Sequence, residues 1–153
     1  MNSVARQLAN HIKRTVTGPM WHGPALNDVL DSVTPEQASA HPIVGRHSIW
    51  ELVLHITVWS DVARARLRGE RIVDPTPAED WPPVVDVSTA AWASAGDRLR
   101  ESYRLLAEDV KQLDDTRLAE KVAGLDYTFS VLLHGVIEHG TYHGGQIAIL
   151  KRL

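Results

Sequence analysis

The sequence predicts an all-α fold, a bundle of long helices. Apolar residues recur at three- and four-residue spacings along four extended stretches, and helix-capping signatures mark helix starts between and within them. No strand-like alternation long enough to form a sheet is present, and neither is an internal repeat or a low-complexity tract. At 153 residues the chain suits one hydrophobic core, so a single domain over 1–153 is expected.

The first helix starts after Ser3, a capping residue, and carries Val4, Leu8, Ile12 and Val16 with Ala5 and Ala9 on one side. Thr17-Gly18-Pro19 stops it. A second helical piece holds Leu26, Val29, Leu30 and Val33. Thr34-Pro35-Glu36-Gln37 then reads as a capping box with Pro at the first helical position, followed by one short turn. Ser48-Ile49-Trp50-Glu51 is another capping box and opens a long helix running to about Gly69. Its core stripe is Ile49, Leu52, Ile56, Trp59 and Ala63, and His55 lies on the flank of that stripe, able to look inward. From Glu70 to about Asp86, Pro75, Pro77, Pro82 and Pro83 surround Asp80-Trp81, which predicts a long loop without regular helix. Trp81 gives that loop an apolar anchor. A third long helix, roughly Ser88 to Leu113, has Trp92, Gly96, Leu99, Tyr103, Leu106, Val110 and Leu113 along a bundle seam. Thr128 or Ser130 caps the last helix, which runs toward Leu153.

Composition excludes several functions. The formal net charge is −3 and no Lys/Arg cluster exists, so nucleic acid is not an expected partner. There is no Cys, which removes disulfides, thiolate ligands and a cysteine nucleophile. The first residues have scattered charges and lack the apolar run of a signal peptide or membrane span, so a soluble cytoplasmic protein with no membrane partner is expected.

The last helix carries the chemistry. Its apolar stripe reads Leu132, Val136, Ile147 and Leu150, and the positions completing it are His139, Gly140 and His143. Two imidazoles four residues apart share one helical face, the spacing at which both can reach one metal ion. Spacing alone is weak evidence among eight histidines. Location adds to it, because an unsatisfied buried polar group costs about 1–3 kcal/mol and two in one stripe call for a shared cause. The alternative is a pair of core histidines, each satisfied by a carbonyl, a carboxylate or water. Gly135, Gly140, Gly144 and Gly145 each cost about 1 kcal/mol relative to Ala in a helix interior. Gly140 and Gly144 would let a helix, a substrate or a second subunit approach the two histidines, unless the helix simply frays at Gly144-Gly145.

With His55 as third ligand, the set is a three-nitrogen site with open positions, as in catalytic zinc centres. Such an ion lowers the pKa of water, polarises a carbonyl or activates a thiol. Neutral imidazoles favour Zn, Ni, Fe or Cu over Mg or Ca, with Zn or Ni foremost. Glu51, one turn before His55, is a candidate general base that already has a capping duty. His22, beside Trp21 in a Gly/Pro-rich turn, and Trp59 are candidates for lining a substrate pocket. His11, His41 and His47 read as surface or loop residues, and His134 points away from the site.

Three stretches resemble the DinB/YfiT-like superfamily: His47 to Trp59, the Asp80-Trp81-Pro82 loop, and Leu133 to Ile147 with its His139-Gly-Thr-Tyr-His143-Gly-Gly-Gln146 core. Trp21-His22-Gly23 is similar to a further segment of that group. The resemblance implies a four-helix bundle, a divalent metal on His55, His139 and His143, and a homodimer. It implies activity as a metal-dependent hydrolase or as a transferase of a low-molecular-weight thiol on a small-molecule substrate; the alternative is a non-enzymatic metal-binding stress-response module. Gly144 stands where relatives commonly carry a basic residue, which removes one charge contact near the site.

Overall fold

The computed structural model describes residues 3–153. In chain order it forms α1 (Val4–Thr17), α2 (Leu26–Leu30), α3 (Pro35–Ser39), α4 (Ile49–Leu67), α5 (Pro77–Asp80), α6 (Thr89–Lys111), a 3-10 turn (Asp115–Ala119) and α7 (Phe129–Leu150). Among these residues there is no strand, and β pairing is confined to two isolated bridges. The four long helices form a ring in which α1 touches α6 and α7, and α4 touches the same two. The fold is therefore an all-α four-helix bundle, with the short α2 packed on α1 and α7 and the short α3 on α4 and α6. No helix among the described residues is long and apolar enough to cross a membrane.

Local sequence explains the helix boundaries. The Ser48 and Thr34 capping boxes both form, with Glu51 N to Ser48 Oγ at 3.2 Å and Ser48 N to the Glu51 carboxylate at 2.7 Å. Thr128, rather than Ser130, caps α7, accepting from the Val131 amide. Gly69, just past α4, adopts φ 73°, a conformation glycine enters without a Cβ clash. The α1 stripe differs from expectation at one end. Val4 is 56% exposed, and at this end of α1 the Asp115 carboxylate accepts from the Val4 and Ala5 amides at 2.9 and 2.8 Å.

The core gathers at the centre of the ring. Ile12, Ile56, Leu99, Leu106, Leu133 and Ile147 are fully buried, each contributing about 1.5–3 kcal/mol of transfer free energy. Helix α7 is buried on two sides. Phe129, Leu133, Ile137, Gly140, Gly144 and Ile147 form its core face. A second face, roughly 120° round the helix, carries Leu132, Gly135, His139, His143, Gln146 and Leu150 toward α4 and solvent. The two histidines thus sit on the flank facing α4, beside the core rather than at its centre.

Segment 70–86 departs from the expected irregular loop. Thr76 Oγ1 accepts from the Glu79 amide at 3.3 Å and the Glu79 carboxylate accepts from the Thr76 amide at 2.8 Å, so a capping box with Pro77 at the first helical position starts the single turn α5. That turn delivers Asp80 and Trp81 to the seam between α4 and α7.

Candidate metal centre

His55 comes from the middle of α4, and His139 and His143 from adjacent turns of α7. The structure brings these three rings together. Nε2 of His139 lies 3.0 Å from Nε2 of His55 and 3.1 Å from Nε2 of His143. Nitrogens about 2.1 Å from a single ion stand about 3.0–3.4 Å apart for angles between a right angle and the tetrahedral value, so the triangle is compatible with ligation.

The outer nitrogens decide the tautomers. His55 Nδ1 faces two oxygens of one residue, the Asp80 carbonyl at 2.9 Å and the Asp80 carboxylate at 3.0 Å, so it carries the proton and donates. His143 Nδ1 donates to Gln146 Oε1 at 2.6 Å. With a single proton on each ring, the Nε2 lone pairs of His55 and His143 point inward, toward His139 Nε2. A single proton on His139 Nε2 satisfies at most one of them well, whereas a cation satisfies all three. His139 Nδ1 is buried and has no protein partner in either tautomer. The donor set therefore fits a divalent ion.

Electrostatics favours the neutral form of His139 and His143. Burial, reinforced by His143 and His55, pushes His139 down to about 3. Burial also lowers His143, with the Gln146 hydrogen bond opposing it in part. Neutral imidazole is the form that binds a metal.

Trp81 holds the centre from outside. Its ring stacks on His55 at 3.8 Å and 4° and, on the other side, on His47 at 3.5 Å and 6°. Trp59 Nε1 donates to the Asp80 carboxylate at 2.7 Å, so that carboxylate is held by two side chains of α4. His47, Asp80 and Gln146 are structural members of the site that sequence reasoning missed. Asp80 lies 25 positions from His55 and Gln146 reads as a helix-surface residue, so spacing gives no signal for either. Trp81 was legible as an anchor, though its stacking partners were not.

The other candidates fall in different places. Glu51 keeps its capping duty: its carboxylate accepts from the Ser48 amide and stands 3.1 Å from His41 Nε2 and 3.5 Å from His47 Nδ1. Burial opposes its ionisation, but the Ser48 amide and His41 outweigh it and hold the carboxyl below its usual value. His22 is exposed and lines a depression of about 120 Å³ with Gly140 and Gly144; no histidine of the triad borders it. Trp59 lines a different cavity, of about 310 Å³, with Arg66, Tyr127 and His139. A third cavity, of about 360 Å³, includes His47, Trp81, His143 and Gln146. The two larger cavities follow successive turns of the same α7 face, Val131 to His139 and Tyr142 to Leu150, so the triad stands between them.

The glycines of α7 have separate roles. A Cβ on Gly140 would meet Tyr103 Oη at 2.6 Å and Thr15 Cγ2 at 2.8 Å, and one on Gly144 would meet Leu26 at 3.3 Å. Neighbouring helices are what approach there. The helix continues unbroken through Gly144-Gly145 to Leu150.

A bundle of four long helices with three imidazoles converging on the α4/α7 seam defines a class of helical protein in which histidine alone could hold a metal ion. The family model of the DinB superfamily matches residues 20–147, and the chain belongs to that superfamily. Comparison with curated proteins and with solved structures returned no match.

Proposed function

We propose that the protein is a divalent-metal enzyme, a hydrolase or a small-thiol transferase, with His55, His139 and His143 as the ligands and Zn or Ni as the ion. The observation that carries this reading is the placement of three inward-facing Nε2 atoms between two cavities, His143 bordering one and His139 the other. An ion held there supplies Lewis acidity to a carbonyl, or lowers the pKa of water or of a thiol brought by a co-substrate. The chain has no Cys, so any thiol arrives with a ligand.

The protein's own residues orient and shield. Asp80 fixes the His55 ring and Gln146 the His143 ring, which sets which nitrogen faces inward. Trp81 covers His55 and keeps water from that side. Glu51, bonded in its cap, is a poor choice of base, which leaves proton transfer to His47, to water or to the substrate. His47 is exposed at the rim of the larger cavity and within reach of bulk solvent.

Elemental analysis of purified protein tests the ligand assignment. About one divalent ion per chain is expected, falling to near zero in His139→Ala, with the rise in melting temperature on adding Zn or Ni lost as well. A metal-free wild type whose melting temperature ignores both ions sinks the reading.

A second reading, a non-enzymatic metal-binding stress-response module, draws support from the burial of His55 and His143, which are 6% and 8% exposed. It requires a closed coordination sphere. Spectra of Co-substituted protein separate the two: a band shift on adding a small thiol favours the enzyme, and a spectrum indifferent to it favours the module. A homodimer belongs to the same proposal, and sedimentation equilibrium should give twice the 17.0 kDa chain mass. We place the protein in the cytoplasm on the same footing, and fractionation of cells expressing it tests that.

A further inference from the structure

The cavity on the His143 side has a distinct chemical character. Ile43, Leu52, Trp81, Tyr142, Ile149 and Leu150 form its apolar wall, and no Asp or Glu lines it. Tyr142 and Ile149 are 65% and 61% exposed, two turns apart on one face of α7, and Ile43, 40% exposed, lines the same cavity. Large apolar side chains left open in one concave site favour an apolar occupant. The volume, about 360 Å³, is that of a small-molecule site.

Arg46 supplies the other half of the chemistry. It is exposed and lines the cavity. Elsewhere Arg64, Arg71 and Arg98 each reach a carboxylate. Among the described residues the Arg46 guanidinium has no such partner. Glu51, the acid that touches His47, is occupied by the Ser48 amide and the His41 ring. An unpaired guanidinium beside an apolar wall matches a ligand with an anionic group at one end, since its planar fork takes two carboxylate or sulfonate oxygens at once.

We infer that this cavity binds an amphipathic organic anion, with its apolar body along Leu52, Tyr142 and Ile149, its anionic group on Arg46, and its opposite end at His143. The inference rests on the metal-enzyme reading only for which end reacts. Binding itself needs the wall and Arg46.

The test uses two fluorescent probes of similar shape, anilinonaphthalene sulfonate and the neutral phenylnaphthylamine, titrated into the folded full-length chain. Both should bind the wild type. Arg46→Gln should weaken the sulfonate about 10-fold, equivalent to about 1.4 kcal/mol, and leave the neutral probe within about twofold. Ile149→Glu should weaken both, and Val131→Glu, in the cavity on the other side of the triad, neither. Circular-dichroism melting of each variant confirms that it is folded before titration. The inference is overturned if the sulfonate fails to bind, if Arg46→Gln changes both probes equally, or if Val131→Glu is the variant that abolishes binding. Running the titration on metal-loaded and chelator-treated protein, with metal content measured separately, keeps the two ideas apart. Arg46-dependent binding in protein that takes up no metal sinks the triad and leaves this site standing, and the reverse result does the opposite.

Discussion

At Gly140 an added methyl group would stand 2.6 Å from the Tyr103 hydroxyl, and Tyr103 has little room to move. It is 1% exposed and its hydroxyl donates to the Val136 carbonyl at 3.3 Å. Gly→Ala in a helix interior ordinarily stabilises by about 1 kcal/mol, but overpacking a tight contact costs about 1–3 kcal/mol. Gly140→Ala should therefore destabilise the protein, by up to about 2 kcal/mol. Gly145 has nothing within 4 Å of its added Cβ, so Gly145→Ala should stabilise by up to about 1 kcal/mol. Urea unfolding of chelator-treated protein measures both, and two changes of the same sign would contradict this account. The sequence marks four glycines as costly in α7 but does not separate those under a neighbouring helix from those facing open space. The same limit applies to His139 and His143. Their helical spacing and His55 as companion were legible, whereas their position on the flank facing α4 depends on which helix packs on which side.

Among the elements, α5 shows best where sequence reading stopped short. Thr76-Pro77-Ala78-Glu79 has the same pattern as Thr34-Pro35-Glu36-Gln37, which was legible as a helix start. Four prolines in the segment hid it, although Pro77 at the first helical position favours the turn. That turn carries the Asp80 carboxylate to His55 Nδ1 and Trp59 Nε1. Asp80→Ala removes the carboxylate and leaves the Asp80 carbonyl, 2.9 Å from His55 Nδ1, in place. The His55 ring keeps its tautomer but loses one of its two restraints. Metal affinity should fall by about 10-fold, at the lower end of the 10–100-fold range for partners of ligating histidines. Competition with a chromophoric chelator reads this directly, and an unchanged affinity would show that the backbone carbonyl alone orients the ring. Helices α1, α4, α6 and α7 were each legible from their stripes and caps, because those signals are local.

At the scale of the whole molecule, the order of helices around the ring was not legible in the sequence, and that order buries His55 and His143 and partly buries His139. Burial has a consequence for stability. In the metal-free protein the unfolded chain takes up a proton on His139 near pH 6.5, while the folded protein refuses it until about pH 3. Between these values the unfolded state binds more protons, so stability must fall as the pH falls. His143 is shifted in the same direction and adds to the effect. Carboxylates such as Glu51 titrate below this range, which leaves the interval from pH 7 to 5 mainly to histidine. The urea midpoint of chelator-treated protein should therefore decline across that interval, and His139→Gln should flatten the decline. In metal-loaded protein the decline should be steeper, because protons then compete with the ion for the same three nitrogens. A wild-type midpoint that is level from pH 7 to 5 without metal would mean that His139 accepts a proton in the folded state. The bundle would then hold its three rings more loosely than their spacing implies.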